Sequence, residues 1–370
     1  MKILHYILLG TAALLLSVSC AKENPVPVDE QEVVITVSTG TRAVGDADGT
    51  PNDHYINSLR VLGYRTSDGT LAFNEKVYGF PTSTVNATVL NNQQVDVKTG
   101  RFTIVFIANE HSEVDANSDG TNDMSALLNG ITTSNNNTLS YLKDNAKFSY
   151  HSFYYGYNIP MAVIKENIII QEENKLIDPE LGSAPITTVW PVMLTRLGIR
   201  VDVTLKLTDA QVADWRTVPT LNKEALSFYN IPEWVSVFPN IYHTGSTTSR
   251  VETFVDMDTY PDEGDLKVFK ARFILPEYAD PNLEATTGLI LGLPQGATVG
   301  LTTPEKKGAV SNMETDGLTP KGWAGKYGYT IPRNHYLGVT ATIKESDTEI
   351  TFNINVLSWD EANLGDKELQ

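Results

Sequence analysis

Cysteine is nearly absent. Cys20 is the single one in 370 residues, so no intramolecular disulfide can form. Basic residues are scarce as well: 28 Lys and Arg against 45 Asp and Glu leave a net charge of −17 and a pI near 4.7. A chain of that sign repels phosphate backbones and anionic lipid, which excludes nucleic acid as its natural partner. None of the six histidines (His5, His54, His111, His151, His243, His335) stands at metal-binding spacing from another. There is no Gly-x-Ser-x-Gly elbow and no phosphate loop, and the carboxylates are scattered as on a solvated acidic surface. Catalysis therefore has no positive support, and no cofactor is expected beyond the calcium candidate described below. After the first apolar run, no second one reaches membrane-spanning length.

What is present begins with Lys2 and an apolar run from Ile3 to Leu16 that ends in Ser17-Val18-Ser19-Cys20. This reads as a signal peptide, too short and wrongly flanked to span a bilayer. A lone cysteine after small residues resembles the bacterial lipobox, with Ser17 where that motif usually has Leu. The resemblance implies acylation at Cys20, and several acyl chains anchor stably where one does not. Ala21-Lys22-Glu23-Asn24-Pro25 then reads as a polar tether.

Next stands a short strand, Glu32 to Gly40. Val33, Ile35 and Val37 alternate with Val34, Thr36 and Ser38, the period-2 signature of a strand with one buried face. Arg42-Ala43 follows at once, in a run of small and polar residues that suits a trypsin-like protease. The plain reading is an ordinary first strand; the sharper one is a removable plug.

Beyond Arg42 the pattern is overwhelmingly β, and 350 mature residues suggest two domains. Strands are predicted at 56–64, 70–78 and 101–109, and short helices at 123–129 and 139–144. A loop through Pro179, Gly182 and Pro185 marks the expected boundary. A long strand is then predicted from Val189 to Leu207, where Ile199, Val201, Val203, Leu205 and Leu207 share a face. A helix is predicted at 209–215. Later strands fall at 234–238, 251–255, 268–275 and 287–293, and a hairpin over 334–344 and 349–359 closes the chain. The expected fold is all-β: two consecutive β-sandwich domains of transthyretin-like or Greek-key type with a few short helices. The expected division is a signal peptide at 1–20, tether and removable strand at 21–42, an N-terminal sandwich at 43–186 and a C-terminal sandwich at 187–370.

Together several motifs resemble a family. They are the lipoprotein signal ending at Cys20, the strand that stops at Thr41-Arg42-Ala43, and the mid-chain Leu194-Thr195-Arg196-Leu197. Ile331-Pro332-Arg333-Asn334-His335-Tyr336 and the terminal Val356-Leu357-Ser358-Trp359 complete the set. In this order they resemble the fimbrillins (type V pilins) of Bacteroidales outer membranes. The resemblance implies a structural fimbrial subunit that supports adhesion. Such a subunit travels to the outer membrane as a lipid-anchored precursor and is cut there by an arginine-specific surface protease. It then polymerises with other fimbrial subunits by donor-strand exchange. Carried over, cleavage falls between Arg42 and Ala43, the lost strand holds Val33, Ile35 and Val37, and the donor candidates are Phe352, Ile354, Val356 and Trp359. The sequence departs from the polymerising members in its polar, acidic tail, 360–370. That keeps open a tip or accessory adhesin without a donor strand.

Two further candidates stand apart. Asp115, Asn117, Asp119 and Asp123 fall at ligand positions of a calcium loop, but Ala126 stands where the closing carboxylate belongs. The aromatic run 150–157, with Tyr154, Tyr155 and Tyr157, suggests a glycan-stacking surface, which would make the chain a surface glycan-binding lipoprotein. Its plain reading is packing on a strand and loop.

Overall fold

The computed structural model describes residues 30–41, 55–79, 87–112, 123–153, 158–208, 226–241, 247–252, 258–263, 266–278, 290–292, 298–300, 309–310, 333–343 and 350–358. The first part of the chain forms β1 (Glu32–Thr41), β2 (Leu59–Arg65), β3 (Leu71–Tyr78), β4 (Val89–Lys98) and β5 (Gly100–Ala108). Then come the helices α1 (Asp123–Gly130) and α2 (Leu139–Asn145), followed by β6 (Lys147–Ser149), β7 (Met161–Gln171), β8 (Lys175–Ile177) and β9 (Trp190–Arg196). The second part holds β10 (Gly198–Thr208), β11 (Leu226–Pro232), β12 (Trp234–Ser236), β13 (Thr247–Glu252), β14 (Asp258–Glu263) and β15 (Leu266–Pro276). It ends with β16 (Ile290–Gly292), β17 (Thr298–Gly300), β18 (Ala309–Val310), β19 (His335–Ile343) and β20 (Ile350–Ser358).

The first sheet runs β3-β2-β5-β7-β9-β1-β4, with β8 beside β7. Among the described residues, its two halves are joined as paired strands only at Met161↔Arg196 and Ala162↔Thr195, where β7 pairs with β9. The sheet thus turns a corner there. The layer β9-β1-β4 faces the layer formed by β3, β2, β5 and β7. Alternation drives the closure. Ile35, Val37, Val95, Val97, Trp190, Val192 and Leu194 from one layer share one buried cluster with Val61, Phe73, Phe102, Ile104, Phe106 and Ile168 from the other. The rings of Phe106 and Trp190 meet edge to face at 5.4 Å across it. β2 is buried on both faces because α1 and α2 cover its far side, where Leu62, Tyr64, Val105 and Ile107 pack on Met124, Leu128 and Leu142. Thr138 caps α2 by accepting from Tyr141 N–H.

The second part contains a sheet ordered β14-β15-β10-β19-β20-β18 and another ordered β13-β11-β16-β17. Phe228 on β11 and Phe273 on β15 join them edge to face at 5.1 Å. The inward face of β10 is the one its alternation predicts: Ile199, Val201, Val203 and Leu205 are all fully buried.

Two expectations need correction. The single strand predicted from Val189 to Leu207 is broken at Leu197: β9 serves the first sheet and β10 the second. Gly198, the first residue of β10, has no room for a side chain: a β-carbon there would lie 2.9 Å from Leu275 O and from the Phe153 ring. A division at 186/187 therefore separates β9 from the β1 and β7 partners to which it is hydrogen-bonded, and the first sheet extends to Arg196.

Candidate functional site

The site predicted on residues 33–40 is β1 and the groove it fills. β1 is antiparallel to β4 from Glu32↔Lys98 to Gly40↔Val89, with a bulge between Val37 and Thr39. It is parallel to β9 over Val37↔Trp190 to Thr41↔Leu194 only. Its second half is therefore bonded on both sides. Over Glu32–Thr36 only β4 pairs with it among the described residues, and there Asn174 Oδ1 accepts from Val34 N–H at 3.2 Å. β1 is the middle strand of its layer and not an edge of the sheet.

Side chains follow the expected alternation. Ile35 and Val37 are buried at 2% and 0% exposure, and Val33 is half-buried against the same cluster. The start of β1 is pinned by polar contacts. Gln31 N–H donates to Thr99 Oγ1 at 2.9 Å, and Arg65 forks onto the Glu30 carboxylate. The hydrogen bond from Arg65 holds that carboxyl below the usual carboxylate range. At the other end, Thr39 is fully buried and its Oγ1 has no hydrogen-bond partner among the described residues. Gly40 stands between Val89 and Met193 on the outward face.

The remaining predicted residues fall as follows. Cys20, Arg42 and Ala43 lie outside the described residues; by sequence, Arg42 comes immediately after Thr41, the last residue of β1. Phe352, Ile354 and Val356 lie on β20, whose backbone pairs them with Ala341, Val339 and Leu337 of β19. The other edge of β20 meets only the short β18, at Thr351 and Phe352, among the described residues. Trp359 lies outside them. Asp115, Asn117 and Asp119 are likewise outside, while Asp123 is the first residue of α1. Tyr154, Tyr155 and Tyr157 are outside too, although within the same aromatic run Phe153 is fully buried in the second core.

Sequence reading missed β4, the antiparallel wall of the groove. Its polar centre, Asn91-Asn92-Gln93-Gln94, hides the alternation of Leu90, Val95 and Val97, and Asn92 takes a φ of 53° that breaks the repeat. The signal that could have found it is the terminal Val95-Asp96-Val97 alternation.

The family-like motifs of the two parts converge. Arg196 Nη1 donates to Asn334 Oδ1 at 3.0 Å, and Asn334 N–H donates to Gly198 O at 2.9 Å. Arg333 donates to Glu277, to Val237 O at 3.0 Å and to Ser236 O at 2.9 Å.

The sequence model of the major fimbrial subunit protein (FimA) matches residues 32–196. That span begins with β1 and ends with β9, the two ends of the groove wall just described. Among solved structures, the chain is similar to a C-terminally truncated form of Mfa3, the tip fimbrial protein of Porphyromonas gingivalis. The two share 15% identity over 89% of this chain and 100% of that one, with a TM-score of 0.50, a likeness of fold. A fimbrilin (fimA) from P. gingivalis W83 matches at 14% identity over 88% and 97%, with a TM-score of 0.47. No curated protein matches the chain.

Proposed function

We propose that the chain is a fimbrial subunit of the kind whose FimA sequence model matches residues 32–196, assembled by replacement of β1. The reading is of a lipoprotein precursor, acylated at Cys20, exported to the outer membrane and cut between Arg42 and Ala43 by an arginine-specific surface protease. The released strand is then replaced by an extended segment of another fimbrial subunit, and the assembled fimbrium supports adhesion.

One observation carries it: β1, the first described strand, sits in the middle of its layer, between β4 and β9. Losing a middle strand leaves two facing rows of unpaired backbone groups, a template for a replacement strand. It also uncovers the slot of Val33, Ile35 and Val37, on the order of 1.5–3 kcal/mol of burial apiece. Donor and acceptor are different surfaces of the chain, so the contact is head-to-tail and propagates as a filament.

The test is N-terminal sequencing of the protein taken from intact cells, alongside an Arg42→Ala variant. The expected result is a mature start at Ala43 and a variant that stays monomeric. Surface material that still carries residues 33–40 would sink the reading.

A tip or accessory subunit is the second reading. It is favoured by β20, which pairs with β19 from Ile350 to Ser358 and so is built into its own sheet. Deleting residues 349–370 separates the two: a shaft subunit stops polymerising, whereas a tip subunit is still incorporated.

A further inference from the structure

β3 and β4 are the two ends of the first sheet, and each has one edge to which no strand is paired among the described residues. The corner at β7 and β9 brings those two edges together. Between them lies a cavity of about 590 Å³, whose walls include Glu75 and Lys76 of β3 and Asp96 and Lys98 of β4. That is the size of an ordinary ligand pocket.

A bare strand edge invites any apolar strand, and an inward-pointing charge is one device that blocks it. Glu75 is such a charge. Its partner on β2 is Val61, fully buried in the first core, and alternation puts both side chains on that face. Burial, then the nearby Asp96, raises the Glu75 carboxyl, and no described cation pairs with either residue. The two lysines of the cavity do not fill that role. Lys98 lies 3.8 Å from Glu30, and Lys76 stands on the opposite face of β3, where its partner is Arg60. An apolar strand laid along β3 would cover the Glu75 carboxylate without a partner, which is costly. A strand with a cation at that position supplies the partner and forms the same backbone ladder.

We propose that the seam between β3 and β4 docks an extended basic segment of a partner protein, with one arginine or lysine seated between Glu75 and Asp96. Charge complementarity selects this occupant, and the net charge of −17 draws a basic segment from a distance. Glu75 sets the specificity: it turns away apolar strands, β1 included, whose Val33, Ile35 and Val37 offer no cation.

The test is fluorescence anisotropy of the full chain with a labelled peptide of alternating Val and Thr around a central Arg. Two further peptides carry Gln or Leu at the centre. The expected result is binding of the Arg peptide, with the other two about tenfold weaker. A Glu75→Gln chain is expected to lose that preference, whereas Glu166→Gln, at an exposed position of β7, keeps it. Equal affinity for the three peptides overturns the proposal, as does binding of none. An equal loss in Glu75→Gln and Glu166→Gln overturns it too, because general attraction to an acidic chain would then be the cause. Replacement of β1 stands apart from all of these outcomes, since β1 occupies the other edge of β4.

Discussion

Arg196 Nη1 donates to Asn334 Oδ1 at 3.0 Å, a hydrogen bond between residues 138 positions apart that ties the end of β9 to the start of β19. Arg196 is 1% exposed, so the guanidinium depends on partners supplied by the second part of the chain. An Arg196→Ala, Asn334→Ala double-mutant cycle in urea is expected to show a coupling of about 0.5–3 kcal/mol. A coupling of zero would mean the two motifs are neighbours without being partners.

Arg60 and Glu110 form a buried pair on the far side of β2. Nε and Oε2 are 2.6 Å apart, and Asn74, Asn129 and Ser125 satisfy the remaining groups. Removing one member alone strands the other charge. Arg60→Met is expected to cost about 3–5 kcal/mol in a denaturant melt, and Glu110→Met in the same background is expected to restore part of it.

Acid acts on the first sheet in two opposite senses. Glu30 has its carboxyl lowered by the hydrogen bond from Arg65, so its contribution is present above the ordinary value of about 4.5 and fades as pH falls through the folded value. Glu75 on β3 is the reverse: burial, then the nearby Asp96 on β4, raises its carboxyl. Ionising Glu75 therefore costs stability, and Glu75→Gln is expected to raise Tm at pH 7 and to leave it unchanged below the ordinary carboxylate range. A Tm difference that persists at low pH would refute the electrostatic cause.

Asp178 is buried beside the groove. It accepts from Trp190 Nε1 at 2.9 Å and from Glu180 N–H at 3.0 Å, and it lies 3.5 Å from Lys165 Nζ. Since Trp190 pairs with Val37, this cluster stiffens the floor under β1. Asp178→Ala leaves the Trp190 N–H without its buried acceptor, while Lys165 keeps its pair with Glu180, and is expected to cost about 1–3 kcal/mol by urea titration. A loss below about 1 kcal/mol would show that water replaces the carboxylate there.

Much of this architecture was written in the alternation of the chain. β1, β5, β10 and the β19–β20 hairpin are legible because apolar residues recur at every second position or fill the strand. The two short helices lie where the sequence predicts them, to within one residue at their ends. The groove was only half legible. β9 looked continuous with β10, since the change of sheet at Leu197 leaves the hydrophobic repeat intact. β4 was invisible because its middle faces water on one side and carries a left-handed Asn92. Nothing in the local sequence says that β1 lies between these two strands, because that placement depends on pairings to distant residues, from Val89 to Leu194. Thr39 and Gly40 likewise read as the ordinary end of a strand until their neighbours are known.

β1 is flanked by both β4 and β9 from Val37 to Gly40. Hydrolysis of the backbone beyond it would break none of those pairings. A clipped molecule would thus keep its plug by adhesion alone, and cutting would set a clock without starting assembly. Its lifetime as a filled monomer would be governed by how fast a competing strand invades, so a cell could stockpile processed subunits and release their growth by supplying the first invader.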